Sequence, residues 1–307
     1  MSTVRVALAP AGVRTWLADA IAAGGGEVVA PAAADALVWA EPAKADELDV
    51  LLGGDASAVR WVQLPWAGIE PYVDVVRRHS ERTWTCGKGI YAEPVAEHAL
   101  TLLLAGLRGL ADYAKATAWS GPQGTNLLGA KVVILGGGGI TESLLRLLGP
   151  FGAEVTVVRR RPEAMAGAAR VVGIDELDDA IDGAVGVVLA LALTPETVGV
   201  IGAGQLARMH PRGWLVNVAR GGHVVTDDLV ATLHAGTIGG AALDVTDPEP
   251  LPEGHPLWSA PHCIITPHVA NTPEMALPLL SARITENIRR RGAGAELLGL
   301  VDPGLGY

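Results

Sequence analysis

The 307-residue sequence predicts an α/β protein with two doubly wound parallel sheets, and three observations support this fold class. Short apolar segments alternate with helical patterns along the chain, as expected for repeated βα units. Many of these segments are apolar at every position, which is typical of strands covered by helices on both faces of a sheet. The length exceeds what one ordinary hydrophobic core needs, so two domains are expected.

The composition excludes several classes of protein. Half of the residues are hydrophobic and 18% are charged, which indicates a globular chain, and the formal net charge of −10 argues against a nucleic-acid partner. Cys86 and Cys263 are too few for a disulfide framework or a four-thiolate zinc site, so we expect no metal site and a cytoplasmic location. The N-terminus has too short an apolar core for a signal peptide, and no segment predicts a membrane span.

The first ninety residues contain one βα series. We predict strands over Val4–Ala9, Leu37–Ala40, Val59–Leu64 and Trp84–Cys86, and a helix over Thr15–Ala23. The third strand ends in the motif PWAG. Because ligands gather at the carboxyl ends of parallel strands, the backbone N–H groups of Ala67 and Gly68 could bind a small anion. An ordinary turn without a ligand is the alternative.

The second series opens with a glycine turn. Val132–Thr141 reads VVILGGGGIT, and an apolar helical pattern follows. Gly136 and Gly138 match the first two positions of the dinucleotide-binding fingerprint G-x-G-x-x-G, but Thr141 replaces the third glycine. We predict a dinucleotide-binding turn, with a glycine-rich loop without a ligand as the alternative. Thr141 should push the helix outward or place its hydroxyl on a phosphate, and the negative charge of Glu142 should oppose the same phosphate.

The remaining pattern predicts the other elements. A long helix, or two abutting ones, is expected over Glu93–Trp119. A helix capped by Thr194 is expected to begin at Pro195. A final helix over Pro273–Arg291 is expected to return to the first domain. The predicted strands of this series are Glu154–Val158, Val185–Leu191, Trp214–Asn217, Ile238–Leu243 and Ile264–Thr266.

Polar groups follow three successive strands of this series. Arg220 lies in NVARGG, Glu249 in DVTDPEP and His268 in TPH, so all three should lie at the carboxyl edge of one sheet. An arginine offers a planar fork to a carboxylate or a carbonyl oxygen. A histidine can transfer a proton near neutral pH, and a neighbouring carboxylate would orient it and favour its protonated form. Each residue alone could be an ordinary surface group, but their common position predicts a catalytic site.

The stretch from about Gly89 to Thr272 resembles the D-isomer-specific 2-hydroxyacid dehydrogenases. The resemblance is carried by IYAEPVAEHALTLLLAGLR, the glycine turn, LTPETVGVIG, the long segment from NVARGG to DPEP, and ITPH. It implies two Rossmann-like domains with the active site in the cleft between them. The implied ranges are 1–95 for the first part of the substrate domain, 96–270 for the dinucleotide domain and 271–307 for the returning helix. It also implies a homodimer through the helix after Glu93, and the apolar run Val95–Leu107 is too hydrophobic for a solvent-facing helix, which favours the same interface.

The resemblance assigns roles to individual residues. It makes Arg220 the group that binds the substrate carboxylate and carbonyl, His268 the proton donor, and Glu249 the partner of His268. It makes Ala67 and Gly68 the backbone pair that holds the substrate carboxylate. The other histidines, including His98, have no matching role. Expected cofactor contacts are Gly136, Gly138, Gly139, Ile140, Arg159, Arg160, Thr194, Ala219 and Asp244.

The residues after the second strand of this series indicate which dinucleotide is preferred. An NAD site places a carboxylate at the end of that strand, where it binds the ribose 2′-hydroxyl. Here Arg159, Arg160 and Arg161 follow Glu154–Val158, and an arginine can bind a 2′-phosphate. We therefore expect NADP(H) to be preferred and NAD(H) to remain possible, with a basic surface turn as the alternative.

The implied activity is hydride transfer between NAD(P)H and the C2 carbonyl of a small 2-keto acid, which gives a D-2-hydroxy acid. Trp66 should narrow the substrate pocket and so favours glyoxylate or hydroxypyruvate, although phosphoglycerate or a bulkier keto acid stays open. A dinucleotide-binding corepressor or sensor with little turnover is the second hypothesis, because the same fold serves such proteins.

Overall fold

The computed structural model describes residues 3–41 and 43–304, which form two compact units. Unit 1 contains the described residues up to Tyr91 together with those from Thr272 onward, and unit 2 runs from Ala92 to Asn271. The first division falls at Tyr91 rather than at residue 95, because one long helix begins at Ala92 and packs entirely within unit 2. The second division, at Asn271, is one residue from the sequence-based boundary at 270.

Unit 1 is built on a five-stranded parallel sheet. The first unit and the start of the second contain, in chain order, β1 (Val4–Ala9), α1 (Leu17–Ala23), β2 (Gly26–Val28), β3 (Ala36–Trp39), α2 (Ala45–Gly53), β4 (Trp61–Gln63), α3 (Val73–Arg78), β5 (Thr83–Thr85), α4 (Ala92–Leu107) and α5 (Leu110–Lys115). The strand order in the sheet of unit 1 is β2-β1-β3-β4-β5.

Unit 2 is built on a seven-stranded parallel sheet. The remaining elements are β6 (Lys131–Leu135), α6 (Gly139–Leu148), β7 (Glu154–Val158), β8 (Arg170–Val172), α7 (Leu177–Ile181), β9 (Gly186–Leu189), α8 (Ala203–Arg208), β10 (Trp214–Asn217), α9 (Thr226–Ala235), β11 (Gly240–Leu243), β12 (Cys263–Ile265) and, back in unit 1, α10 (Pro273–Ala293). The strand order in the sheet of unit 2 is β12-β11-β10-β9-β6-β7-β8, so the glycine turn after β6 lies near the centre of the sheet.

The C-terminal helix α10 is an integral part of unit 1. The hydroxyl of Thr285 donates to the carbonyl of Ala20 in α1 at 2.9 Å, and a Cβ atom on Gly24 would lie only 2.7 Å from Cβ of Ile288. On the sheet side, the buried amide of Asn287 donates to the buried side chain of Gln63 at 3.0 Å. The α/β fold class with two parallel sheets is therefore confirmed, and each sheet has its own hydrophobic core.

Several local predictions were wrong. The strands β2 and β8 were missed, because both have three residues, lie at sheet edges and contain charged side chains. No helix begins at Pro195: the backbone N–H of Thr194 donates to the hydroxyl of Thr197, which closes a turn, and the next helix is α8. The hydroxyl of Thr141 donates to the carbonyl of Gly136 at 2.9 Å and is buried, so its proton serves the turn rather than a phosphate.

The argument that α4 exposes an apolar patch was also wrong. Ala96, Leu102, Leu103 and Leu107 are buried against the sheet of unit 2, and the partly exposed apolar side chains of α4 pack around them. The helix is hydrophobic because it covers its own sheet. The large apolar side chains that are exposed in this region lie after α4, at Leu110, Trp119 and Leu128. No helix within residues 3–41 and 43–304 has the length and hydropathy needed to cross a bilayer.

The contact between α4 and β10 gives a stability prediction. A Cβ atom on Gly106 would lie 2.2 Å from the indole ring of Trp214, so Gly106→Ala should displace that ring and destabilise the protein by about 1–3 kcal/mol. Gly204→Ala in α8 is the matched control, because no atom lies within 4 Å of its added methyl group. We expect that variant to be neutral or slightly more stable. Thermal unfolding midpoints test both, and equal midpoints for the two variants would contradict the packing argument.

Candidate active site

The three polar residues predicted at strand ends follow three adjacent strands of unit 2. β10 pairs with β11, and β11 pairs with β12, all in parallel. Arg220, Glu249 and His268 lie in the loops that leave the carboxyl ends of these strands. The structure brings Glu249 and His268 into direct contact, since Nδ1 of His268 lies 2.6 Å from Oε1 of Glu249. Both side chains are about half exposed, so a ligand can reach them.

The contact orients the imidazole ring of His268. When the carboxylate of Glu249 accepts a hydrogen bond from Nδ1–H, Nε2 becomes the ring atom that is available for proton exchange with a ligand. His268 itself has a φ of 52°, in the left-handed region that non-glycine residues rarely adopt. Its backbone N–H donates to the carbonyl of Asp244 at 2.8 Å, which holds this conformation from the neighbouring strand.

The side chain of Asp244 stabilises the same loop. Its buried carboxylate accepts hydrogen bonds from the hydroxyl of Thr266 at 2.5 Å, from the N–H of Val269 at 2.9 Å and from the N–H of Ala270 at 3.0 Å. Burial by itself would raise the pKa of this carboxyl group. The hydrogen bonds from His98, Thr266, Val269 and Ala270 outweigh burial and lower the pKa to about 2. Asp244 therefore stays ionised and ties the residues on both sides of His268 to β11.

His98 in α4 belongs to this network, although no role was predicted for it from the sequence. Its Nε2 lies 3.1 Å from the hydroxyl of Thr266 and 3.3 Å from the carboxylate of Asp244. The signal in the sequence was that two polar residues, Glu97 and His98, interrupt the apolar run of α4. Such a pair does not reveal that one of its members meets a loop 168 residues further along the chain.

Asn217 and Gly221 shape the loop that carries Arg220. The buried amide of Asn217 donates to the carbonyl of Arg220 at 2.9 Å and accepts from the N–H of Ala219 at 3.0 Å. A Cβ atom on Gly221 would lie 2.0 Å from the backbone of Thr246, so only glycine fits where these two loops meet. The guanidinium of Arg220 donates to the carbonyl of Ala219 at 2.7 Å. Ala219, an expected cofactor contact, is buried at this turn.

The glycine turn fits the diphosphate of a dinucleotide. Gly136 has a φ of 115°, and a Cβ atom there would lie 2.2 Å from the carbonyl oxygen of Ala190. Gly138 precedes α6, and the space around its Cα is open, so an anion can approach the backbone N–H groups of the first turn, which starts at Gly139 and Ile140. The positive end of the α6 dipole points at the same place.

Arg159 lies directly against this turn. It follows β7, its backbone N–H donates to the carbonyl of Val172, and a Cβ atom on Gly137 would meet its Nε at 2.6 Å. Arg160 is exposed. The pKa of Glu196 is lowered mainly by a hydrogen bond from Thr194, another predicted cofactor contact, and further by the charge of Arg160.

The PWAG turn is the feature of unit 1 that the sequence singled out. Within the described residues, no backbone or side-chain acceptor pairs with the N–H groups of Ala67 and Gly68. The segment after β5 stabilises the turn. The N–H of Gly87 donates to the carbonyl of Trp66 at 2.8 Å, and the thiol of Cys86 lies 3.6 Å from the carbonyl of Ala67. Bare N–H groups on a fixed turn are suited to binding a carboxylate.

The lowered pKa of Asp244 predicts a pH-dependent contribution to stability. The pKa of Asp244 is about 2 in the folded state, below the usual value of 3.8 that applies to the unfolded chain. The ionised carboxylate therefore stabilises the fold fully above pH 3.8, and this stabilisation is lost as the pH falls towards 2. Asp244→Asn should therefore be less stable than wild type by about 2 kcal/mol at pH 6, and the difference should shrink below pH 4.

Urea unfolding at a series of pH values measures this difference. Asp179→Asn on the exposed face of α7 is the matched control, and its difference from wild type should stay small at every pH. A constant difference for Asp244→Asn between pH 6 and pH 3 would contradict the network described above.

Comparison with known proteins agrees with this geometry. Residues 99–270 match the family described as D-isomer specific 2-hydroxyacid dehydrogenase, NAD binding domain. The chain is 30% identical over 284 residues to a glyoxylate/hydroxypyruvate reductase A of Enterobacter sp. (strain 638), covering 89% of this chain and 87% of that protein.

Two solved structures extend the likeness to the whole chain. A D-isomer specific 2-hydroxyacid dehydrogenase from Xanthobacter autotrophicus Py2, solved with NADPH and MES, is 26% identical, with a TM-score of 0.84 and full coverage of both chains. An NADPH-dependent glyoxylate/hydroxypyruvate reductase from Sinorhizobium meliloti, solved with NADP and sulfate, is 25% identical, with a TM-score of 0.79 and full coverage of both chains. The strand-end loops, the glycine turn and these likenesses together confirm the resemblance: the chain belongs to the family of D-isomer-specific 2-hydroxyacid dehydrogenases, which are NAD(P)-dependent oxidoreductases.

Proposed function

We propose that the protein reduces the C2 carbonyl of a small 2-keto acid to a D-2-hydroxy acid with a nicotinamide dinucleotide as hydride donor. The observation that carries this proposal is the His268–Glu249 contact of 2.6 Å, which lies on the same sheet edge as Arg220 and the glycine turn. An acid, an arginine and a dinucleotide turn are the groups that keto-acid reduction requires. The relatives that carry the names of reductases and dehydrogenases support the same assignment.

The chain's own residues perform the polar steps. A bound nicotinamide dinucleotide supplies the hydride that reaches C2 of the keto acid. Arg220 binds the carbonyl oxygen and stabilises the negative charge that develops on it. His268 delivers a proton from Nε2 to that oxygen, while Glu249 holds the ring through Nδ1. We assign the unpaired N–H groups of Ala67 and Gly68 to the C1 carboxylate of the substrate. The cofactor residues remain those predicted from the sequence, with Asp244 acting through the loop that it anchors.

Removing the acid should stop turnover without removing the cofactor. His268→Gln should lower kcat for the reduction of glyoxylate or hydroxypyruvate by about 100-fold or more, because no group then protonates the carbonyl oxygen. The dissociation constant for NADPH should stay within about threefold of wild type, measured by fluorescence titration. His234→Gln, on the exposed face of α9, is the matched control and should retain full activity.

Two results would contradict this assignment. If His268→Gln keeps wild-type turnover, the acid is another group. If the wild-type protein binds the dinucleotide but reduces none of a panel of 2-keto acids, the corepressor or sensor hypothesis gains over the enzyme.

We also propose that NADPH is preferred over NADH. Arg159 lies against Gly137 of the glycine turn, and the exposed Arg160 follows it in the chain. Both residues come directly after β7, the strand at whose end an adenosine ribose binds in this fold. No carboxylate follows β7 directly, since its next three residues are arginines. The two solved relatives bound to NADPH or NADP support the preference.

The double variant Arg159→Ala/Arg160→Ala tests the preference. It should weaken the binding of NADPH by about tenfold or more and leave that of NADH nearly unchanged, because only NADPH carries the 2′-phosphate. Arg77→Ala/Arg78→Ala, an adjacent pair on α3 of unit 1, is the matched control. Equal catalytic efficiency of the wild type with both cofactors, or an unchanged ratio in the double variant, would refute the preference.

The homodimer remains a prediction, now with a different surface. Leu110, Trp119 and Leu128 are exposed apolar side chains in the segment after α4, and a second copy of the chain would cover them. Light scattering should give twice the 31.6 kDa of one chain. Trp119→Ser should shift the equilibrium towards monomer, whereas Trp258→Ser, another exposed tryptophan, should not. A monomer mass for the wild type at micromolar concentration would refute the dimer.

The cytoplasmic location also remains a prediction.

A further inference from the structure

We propose that Arg14 binds a second anionic group of the substrate, so that the preferred substrates are 2-keto acids that carry a carboxylate or a phosphate besides the C1 carboxylate. This inference rests on the proposed function and narrows it to a class of substrate. It concerns unit 1 alone, where Arg14, Trp66 and the PWAG turn all lie.

Arg14 is held in a defined position. Its Cζ atom lies 4.5 Å from the centroid of the Trp66 ring, so the guanidinium stacks on the indole face. The ring of Trp66 in turn packs against that of Tyr91, with centroids 5.7 Å apart, and the hydroxyl of Tyr91 donates to the carbonyl of Pro65 at 2.9 Å. The backbone of Arg14, in the loop after β1, has a φ of 46°. This value is strained for a residue other than glycine.

The guanidinium of Arg14 has hydrogen-bonding capacity to spare. Within residues 3–41 and 43–304, no carbonyl or carboxylate accepts a hydrogen bond from it and no carboxylate lies within ion-pair distance. The side chain is half-buried, and burial lowers its pKa from the usual value. Arg82, the buried arginine elsewhere in unit 1, has its donors occupied by the carbonyls of Leu52, Ala56 and Val59. A half-buried arginine without such partners is suited to an external anion.

The location points to the substrate rather than to an unrelated anion. Trp66, which supports the guanidinium, immediately precedes Ala67 and Gly68, whose N–H groups are without partners in the described chain. A Cβ atom on Gly87 would lie 3.1 Å from the carbonyl carbon of Trp66 and 3.3 Å from the nitrogen of Ala67, so the backbone at Gly87 packs directly against the PWAG turn. The guanidinium of Arg14 and the N–H groups of Ala67 and Gly68 are thus both attached to this turn, which suits a ligand with two negative groups.

Glu41 is the acidic residue that opposes this site. Its charge favours the protonated form of Arg14, but its carboxylate accepts a hydrogen bond from the N–H of Ala43 at 3.2 Å and forms no ion pair with Arg14. Glu41 should therefore weaken the binding of a second anion moderately. Glu41→Gln should strengthen it, which gives a variant with an effect opposite to that of Arg14→Gln.

Steady-state kinetics with pairs of substrates test the proposal. Oxaloacetate and 4-methyl-2-oxopentanoate have similar shapes, but only the first has a second carboxylate; 3-phosphohydroxypyruvate and hydroxypyruvate differ by a phosphate. In the wild type, kcat/KM for the better of the two substrates with a second anionic group should exceed that of its partner by about tenfold or more. Whichever pair shows the larger ratio identifies the second group as carboxylate or phosphate.

The variants assign that ratio to one residue. Arg14→Gln should remove the advantage of the substrate with a second anionic group and leave kcat/KM for glyoxylate within about threefold of wild type. Arg14→Lys should keep part of the advantage, because it retains the charge but not the planar stack. Arg77→Gln, on α3, is the matched control. Equal ratios in wild type and Arg14→Gln, or an equal loss for every substrate, would overturn the inference.

A binding measurement separates this inference from the proposed function. Calorimetric titration with malonate and with isovalerate, which has the same shape and one charge fewer, does not depend on turnover. Malonate should bind the wild type more tightly than Arg14→Gln by about tenfold, and isovalerate should bind both alike. If no keto acid is reduced but malonate still distinguishes the two proteins, the proposed function fails and the anion site stands. If malonate binds both alike, the anion site fails whatever the kinetics show.

Discussion

The ionised carboxylate of Asp244 is the group on which the geometry of the active site depends. His268 must adopt a left-handed backbone conformation to follow β12, and by itself this conformation is unfavourable. Asp244 offsets that cost by accepting hydrogen bonds on both sides of His268, from Thr266 before it and from Val269 and Ala270 after it. His98 adds a donor from α4. His268, the proposed proton donor, is thus oriented by contacts with β11 and α4, while its side chain and that of Glu249 remain about half exposed.

Close approach of backbone segments explains the glycines of this site. Gly221 lies against the backbone of Thr246, and Gly136 against the carbonyl of Ala190, so a methyl group at either position would collide with main-chain atoms that cannot move aside. The loops that carry Arg220 and the glycine turn can therefore lie close to neighbouring strands. At Gly138, by contrast, no atom lies within 4 Å of an added Cβ atom, so a diphosphate can approach the first turn of α6.

An acidic protein that binds anionic ligands has to supply positive charge locally. The chain has a formal net charge of −10, so long-range attraction does not favour a keto acid or a dinucleotide phosphate. The arginines that we assign to ligands are each held by a neighbour: Arg220 by the carbonyl of Ala219, Arg159 by the glycine turn and Arg14 by the ring of Trp66. Binding then depends on short, oriented contacts, which discriminate between anions by shape better than a diffuse positive surface would.

Local sequence patterns were sufficient to predict the two-sheet α/β fold, the bounds of strands such as Val4–Ala9 and Glu154–Val158, and the placement of Arg220, Glu249 and His268 at neighbouring strand ends. Continuous apolar runs specify buried parallel strands, and the ends of such strands share an edge. Contacts between distant segments could not be predicted in this way: α4 covers its own sheet, His98 contacts Asp244, and Arg14 lies over the ring of Trp66. The type of a residue indicates whether its side chain must be buried or paired. It does not indicate with which residue, because that residue lies in a distant part of the chain and depends on how the elements pack.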